Sequence, residues 1–142
     1  MKFFAALAII PAIVSAATVS LSYDETYDAS GTSLAVVACS NGSNGLLTQG
    51  FTTFGSLHNF PNIGGAPAVT GFNSPACGTC WQVTYTNGKG VKKSINVLAI
   101  DVGLAGFNIA KAAMNTLTGG QAVALGRVNV DAVQVAESAC GL

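Results

Sequence analysis

Charge is scarce along this chain. Six lysines and arginines face six aspartates and glutamates in 142 residues, with one histidine, His58. Past residue 17 the basic side chains are Lys89, Lys92, Lys93, Lys111 and Arg127, against Asp24, Glu25, Asp28, Asp101, Asp131 and Glu137. Such a balance offers no electrostatic footprint for a nucleic acid, which is met by clustered cations. A lone His58 leaves no second ligand pair for zinc, and no metal or cofactor is expected. Long apolar runs are missing too: Phe3 to Val14 is interrupted by Pro11 and falls short of the roughly 18 to 20 residues of a membrane span, so no stable membrane insertion is expected. There are no internal repeats.

What is there begins with Lys2, the apolar run and the small residues Ser15-Ala16-Ala17. This is the pattern of a secretory signal peptide. Cleavage is expected after Ala16 or Ala17, with a secreted, extracellular or cell-wall product. About 125 residues remain, enough for one domain over residues 18–142 that buries its own core. In a secreted chain, Cys39, Cys77, Cys80 and Cys140 read as two disulfides, for which three pairings are open. Each is expected to stabilise the fold by about 2 to 4 kcal/mol. The Cys77-Gly78-Thr79-Cys80 spacing also fits a redox dithiol, although no helix follows it as in thioredoxin-like folds.

Val19, Leu21 and Tyr23 alternate with Ser20 and Ser22, and Trp81, Val83 and Tyr85 with Gln82 and Thr84. Both are patterns of half-buried strands. Ser94 to Ile100 is apolar on both faces, as in a strand covered on two sides. Asn87-Gly88 and Lys89-Gly90 between these runs predict a hairpin. In the last strand, Arg127 to Ala136, Val128 and Val130 share a phase that Val133 and Val135 leave, which predicts a bulge or a barrel corner. Ala110, Ala113, Met114 and Leu117 fall at helical spacing, with Asn108 opening the helix and Gly119-Gly120 stopping it. A shorter helical turn is predicted from Ser33 to Cys39.

The segment from Leu46 to Cys77 is rich in Gly, Asn and Pro and has no sustained period, yet holds Phe51, Phe54, Phe60 and Phe72. Ordered loops of this length are usually functional. Their rings either form a small core beneath the loop or line a binding face.

The motifs "VSLSYDETYD", "CSNGSNGL", "TTFGSLHNFPNIGG", "CGTCWQVTY" and "NVLAIDVGLAGFNIA", in that order with the four cysteines, resemble the cerato-platanin family of secreted fungal proteins over essentially the whole mature chain. The resemblance implies a mainly β fold: a six-stranded double-psi β-barrel with short helices, shared with plant barwin, the first domain of expansins and certain small endoglucanases. It implies the disulfides Cys39–Cys77 and Cys80–Cys140. It also implies a non-catalytic protein that binds chitin oligomers, loosens cellulose as expansins do, assembles at air-water interfaces and elicits plant defence or necrosis; some members are allergens. Three positions depart from the family, which often has Tyr at Phe51, Pro at His58 and His at Val102. The last departure puts fine ligand preference in doubt.

In the expansin and endoglucanase relatives a strand-ending Asp is followed by a second Asp, the general acid of the hydrolases. Here the first corresponds to Asp101 and the second to Asn108. Glycoside hydrolysis generally needs two carboxyl groups, and an amide has no proton to give as a general acid. A weak endoglucanase or chitinase would have to recruit Asp24 or Asp28, which are also readable as solvated turn formers. Without hydrolysis, Asp101 and Asn108 can still hydrogen-bond sugar hydroxyls and acetamides, with Tyr23, Asp24, Thr53 and Phe54 as further groove candidates. Few polar groups on an apolar wall suit an uncharged glycan. Each has a structural alternative: Asn108 as a helix N-cap, Asp101 as acceptor for the N–H groups of the following turn, Tyr23 as core. The partners expected are chitin or other cell-wall polysaccharide oligomers, a plant host receptor, and further copies of the chain at interfaces, where sparse charge opposes contact little. Asn41-Gly42-Ser43 is a glycosylation sequon, or a plain turn.

Overall fold

The computed structural model describes residues 16–142; of the leader expected over residues 1–17, all but Ala16 and Ala17 lie outside them. Six strands, β1 (Ala17–Tyr23), β2 (Ile63–Ala66), β3 (Cys80–Thr86), β4 (Lys92–Val102), β5 (Phe107–Ile109) and β6 (Arg127–Val135), close into a barrel in the order β1-β5-β2-β4-β3-β6. Two of the pairings, β1 with β5 and β2 with β4, are parallel, and the others are antiparallel. Two short helices, α1 (Lys111–Thr118) and α2 (Ala122–Leu125), join β5 to β6. The expected six-stranded barrel with short helices is therefore present.

The alternating runs become β1 and β3, and the doubly apolar run is the centre of the longer β4. Leu21, Val83, Val97, Leu98, Ile100 and Ile109 are fully buried, each removing apolar surface from water at about 25 cal/mol per Å². Both faces of β4 are covered because the segments outside the barrel lean on it: Cys39 N–H donates to Ile100 O and Gly78 N–H to Ala99 O. The hairpin between β3 and β4 turns on Asn87, whose side-chain oxygen accepts from Lys89 N and Val91 N, with Gly90 at a φ of 77°.

The phase change in β6 is no bulge. Its register runs unbroken from Arg127 to Ala132 against β1 and from Asp131 to Val135 against β3. Val135 sits opposite Cys80 on the outer face and packs against the core, and the Cys80–Cys140 disulfide makes that outer face apolar. The register shift lies instead between Gly64 and Gly65 of β2, against β4.

Cys39 is bonded to Cys77 and Cys80 to Cys140, the pairing the resemblance implied. Cys77 and Cys80 thus have different partners, which removes the dithiol reading. The long segment also departs from expectation, since it supplies β2 and a 3-10 turn, Phe54–Ser56. Phe54 is fully buried, Phe51 and Phe60 are half-buried against the core, and Phe72 is exposed. His58, its Nδ1 3.0 Å from Gly141 O, meets the Phe51 ring edge-on. The turn expected from Ser33 to Cys39 shortens to a 3-10 turn at Leu34–Val36, capped by the Ser33 hydroxyl.

Candidate functional site

Strand register brings the two motif residues to either side of a glycine. Ser22 of β1 pairs with Asn108 of β5, Asn108 with Gly65 of β2, and Gly65 with Asp101 of β4. Neighbouring strands lie about 4.8 Å apart, so Asp101 and Asn108 stand roughly 10 Å from one another across a residue with no side chain. That residue has to be glycine. A Cβ on Gly65 would run into the Val102 carbonyl oxygen, and one on Gly64 into the Asn108 carbonyl oxygen.

Asp101 is held by three donors. Its Oδ1 accepts the N–H groups of Ala38 at 3.1 Å and Val102 at 2.9 Å, and its Oδ2 accepts the Tyr27 hydroxyl at 2.9 Å. Tyr27, in a 3-10 turn at Glu25–Asp28, is 6% exposed. Burial, followed by the Asp101 carboxylate beside it, holds its phenol well above the usual tyrosine range, so Tyr27 stays a proton donor. The reading of Asp101 as a backbone acceptor is thus met at Val102, but its main work is wider: it ties two segments outside the barrel to the end of β4. The loop after Asp101 is held separately, by Gly103 N–H to Ala66 O and the Ser20 hydroxyl to Ala105 O.

Asn108 does not open the helix. It is the middle residue of β5, and its Oδ1 accepts from the Ser22 hydroxyl at 3.1 Å. Its Nδ2 has no protein acceptor among the described residues and is free to donate to a ligand. The helix α1 starts at Lys111 and is capped from a distance by Asp28, whose two oxygens accept Lys111 N at 2.8 Å and Ala112 N at 2.9 Å. The position local sequence would give to Asn108 is filled by a carboxylate, which the positive end of a helix favours. Glu25 adds an ion pair to Lys111 at 2.9 Å.

The remaining candidates divide. Asp24 is an exposed N-cap whose Oδ1 accepts Thr26 N. Thr53 caps the 3-10 turn before Leu57 in a reciprocal box with Ser56. Phe54 cannot line a groove, because it is fully buried; its ring lies 6.0 Å from that of Tyr27 and supports it from inside. Tyr23, at the end of β1 opposite Ile109, is half-buried and packs against the core with part of its ring still open. Asn41 is exposed. Tyr27, Gly65, Ser22 and Arg127 were not singled out in the sequence; Tyr27 stands inside the "SYDETYD" motif, the one signal that pointed near it.

Beside Asn108 opens a cavity of about 380 Å³, lined by Ser22, Asn108, Arg127 and the loop 102–107. Asp101 is not among its walls. Asn108 therefore faces the cavity, while Asp101, fixed by Tyr27, stands two strands away on the other side of the buried Gly65.

The closed six-stranded barrel with short helices is the architecture of a family of small fungal domains with solved structures. The chain belongs to the cerato-platanin family, whose model matches residues 19–142. It is 52% identical to an allergen homologue from Arthroderma benhamiae, over 99% of this chain and 70% of that one. The crystal structure of cerato-platanin 2 from M. perniciosa superposes with a TM-score of 0.84 at 52% identity, over 89% of this chain and all of that one. The solution structure of the fungal elicitor cerato-platanin gives 0.71 at 45% identity, over 86% and 96% of the two chains. No helix among the described residues is long and apolar enough to cross a membrane.

Proposed function

We propose that the protein is a secreted, non-hydrolytic polysaccharide-binding protein whose ligands are chitin or related N-acetylglucosamine oligomers and cellulose, with expansin-like wall loosening and elicitor activity in a plant host. The observation that carries the reading is the row Asn108, Gly65, Asp101. A fixed acceptor and a free amide donor stand two strands apart on one face of the sheet, and a few well-placed polar groups of this kind suit sugar recognition. Hydrolysis has little support, because the residue opposite Asp101 is an amide and the other nearby carboxylates, Asp24 and Asp28, are each engaged as caps. Lacking a general acid forfeits about 10² to 10⁴ in rate. The elicitor activity follows from the name of a structural neighbour and would require a host receptor to read the protein.

The test is binding of the isolated domain to insoluble chitin and cellulose, with reducing-sugar release measured on the same samples. Asp101→Asn and Asn108→Ala are expected to weaken binding, with no sugar released by any form. Full binding by both variants would refute the groove, and sugar release lost in Asp24→Ala and Asp101→Asn would restore the hydrolase.

A second reading has its own observation. Leu104 is 96%, Val36 68% and Phe72 65% exposed on a chain with little charge to oppose contact. These side chains favour self-association at an air-water interface or in the fungal wall. Unchanged surface tension at micromolar protein would remove it.

A further inference from the structure

We infer that the cavity beside Asn108 is a subsite for a carboxylate-bearing sugar, a uronic acid unit, held by Arg127. The inference rests on the groove taking a saccharide at all, and it changes the class of saccharide from neutral to acidic at this one position.

Arg127 opens β6 and lines the cavity, and it forms no ion pair among the described residues. Its guanidinium is anchored through one nitrogen only: Nη1 donates to the Ser20 hydroxyl at 2.9 Å and to Ala105 O at 3.4 Å. The Nε and Nη2 edge is left without a protein acceptor among the described residues. That edge carries two parallel N–H bonds, the geometry that matches a carboxylate.

The rest of the cavity agrees in sign. No aspartate or glutamate lines it. The N–H groups of Leu104 and Ala105, residues of its wall, reach no protein acceptor among the described residues. Asn108 adds its free Nδ2. A neutral sugar would offer hydroxyl oxygens to these donors, but only an acidic one gives the guanidinium an opposite charge and a two-oxygen partner. At about 380 Å³ the space lies at the small end of the roughly 300–1,000 Å³ of small-molecule sites, suited to one sugar ring.

The test compares trigalacturonic acid with its fully methyl-esterified form, which keeps the rings and removes the charge, and with the N-acetylglucosamine trimer, each titrated into ¹⁵N-labelled protein at low salt. The acid is expected to bind about tenfold more tightly than its ester, with shifts at Leu104, Ala105 and Asn108, and the preference is expected to fall as salt is raised. Arg127→Gln should bring acid and ester level, and Arg127→Lys should keep part of the difference. Equal binding of acid and ester by the unaltered protein, which needs no variant to fold, overturns the inference. So does a preference that survives Arg127→Gln. Binding of the neutral trimer at Asp101 and Asn108 without any acid preference removes the subsite and leaves the groove standing, whereas no shift with any of the three sugars removes both.

Discussion

Replacing Tyr27 with phenylalanine isolates one of the three contacts that fix the Asp101 carboxylate. The substitution removes one oxygen from a side chain that is 6% exposed and leaves the ring packed beside Phe54 at a tilt of 34°, so packing changes little. What is lost is the 2.9 Å bond to Asp101 Oδ2, while Ala38 and Val102 keep Oδ1. A hydrogen bond to a charged group contributes about 1.5 to 3 kcal/mol. With a urea m-value of about 1 to 3 kcal/mol/M, the unfolding midpoint should fall by roughly 1 M with an unchanged slope. The pH dependence gives a second readout. The folded-state phenol is raised above its unfolded value of 10.0, so its contribution is complete below about pH 10 and is lost as pH rises, because the unfolded chain ionises first. The unaltered protein should therefore lose up to about 1.4 kcal/mol per pH unit more than Tyr27→Phe above that point. Urea unfolding followed by circular dichroism from pH 7 to pH 11 measures both. A midpoint within 0.2 M of the unaltered protein by this approximate scale, together with parallel pH profiles, would show that the Tyr27–Asp101 bond does not hold the site.

Gly65→Ala, whose Cβ meets the Val102 carbonyl, should cost about 1 to 3 kcal/mol as an overpacked site and abolish chemical-shift changes with chitin oligomers. Asp28→Ala, which strips α1 of both of its cap bonds, should cost about 1 to 2 kcal/mol, read from thermal or urea unfolding; Glu25→Gln, which breaks only the exposed pair with Lys111, should leave the midpoint unchanged. Replacing Cys80 and Cys140 together by alanine opens a loop with a sequence separation of 60, for which the chain-entropy model gives a loss of about 4 kcal/mol; a shift of less than a quarter of that in urea would place the stabilisation elsewhere.

Local pattern reached the elements that obey local rules. The alternation of Val19, Leu21 and Tyr23, and of Trp81, Val83 and Tyr85, is strand period written into side chains, and β1 and β3 follow it. Strand β2 has no such signal. Its Ile63-Gly64-Gly65-Ala66 has low strand propensity, and it is extended because β4 and β5 flank it. The same tertiary control misled the reading of Asn108, a good N-cap just before a helical period, since the actual cap, Asp28, reaches Lys111 from 83 positions away. Asp101 and Asn108 were found through motif order, but their meaning lies in partners the order does not reveal: Tyr27 is 74 positions from Asp101, and Ala38 is 63. Val135 looked out of phase because alternation assumes one apolar face, whereas the Cys80–Cys140 disulfide gives the end of β6 a second; Val133, opposite Gln82, lies on that outer face without packing against the core.

The proposed function requires the Asp101, Gly65 and Asn108 row to bind a glycan without cleaving it. Titrating ¹⁵N-labelled protein with chitin and cellulose oligomers, while following the sugar's own resonances in the same tube, tests this directly. Saturable shifts are expected at Gly65, Asp101 and Asn108, with weaker ones at Tyr27 and Ser22, and an intact oligomer after days. Shifts confined to other faces, no shifts at millimolar sugar, or progressive cleavage would contradict it.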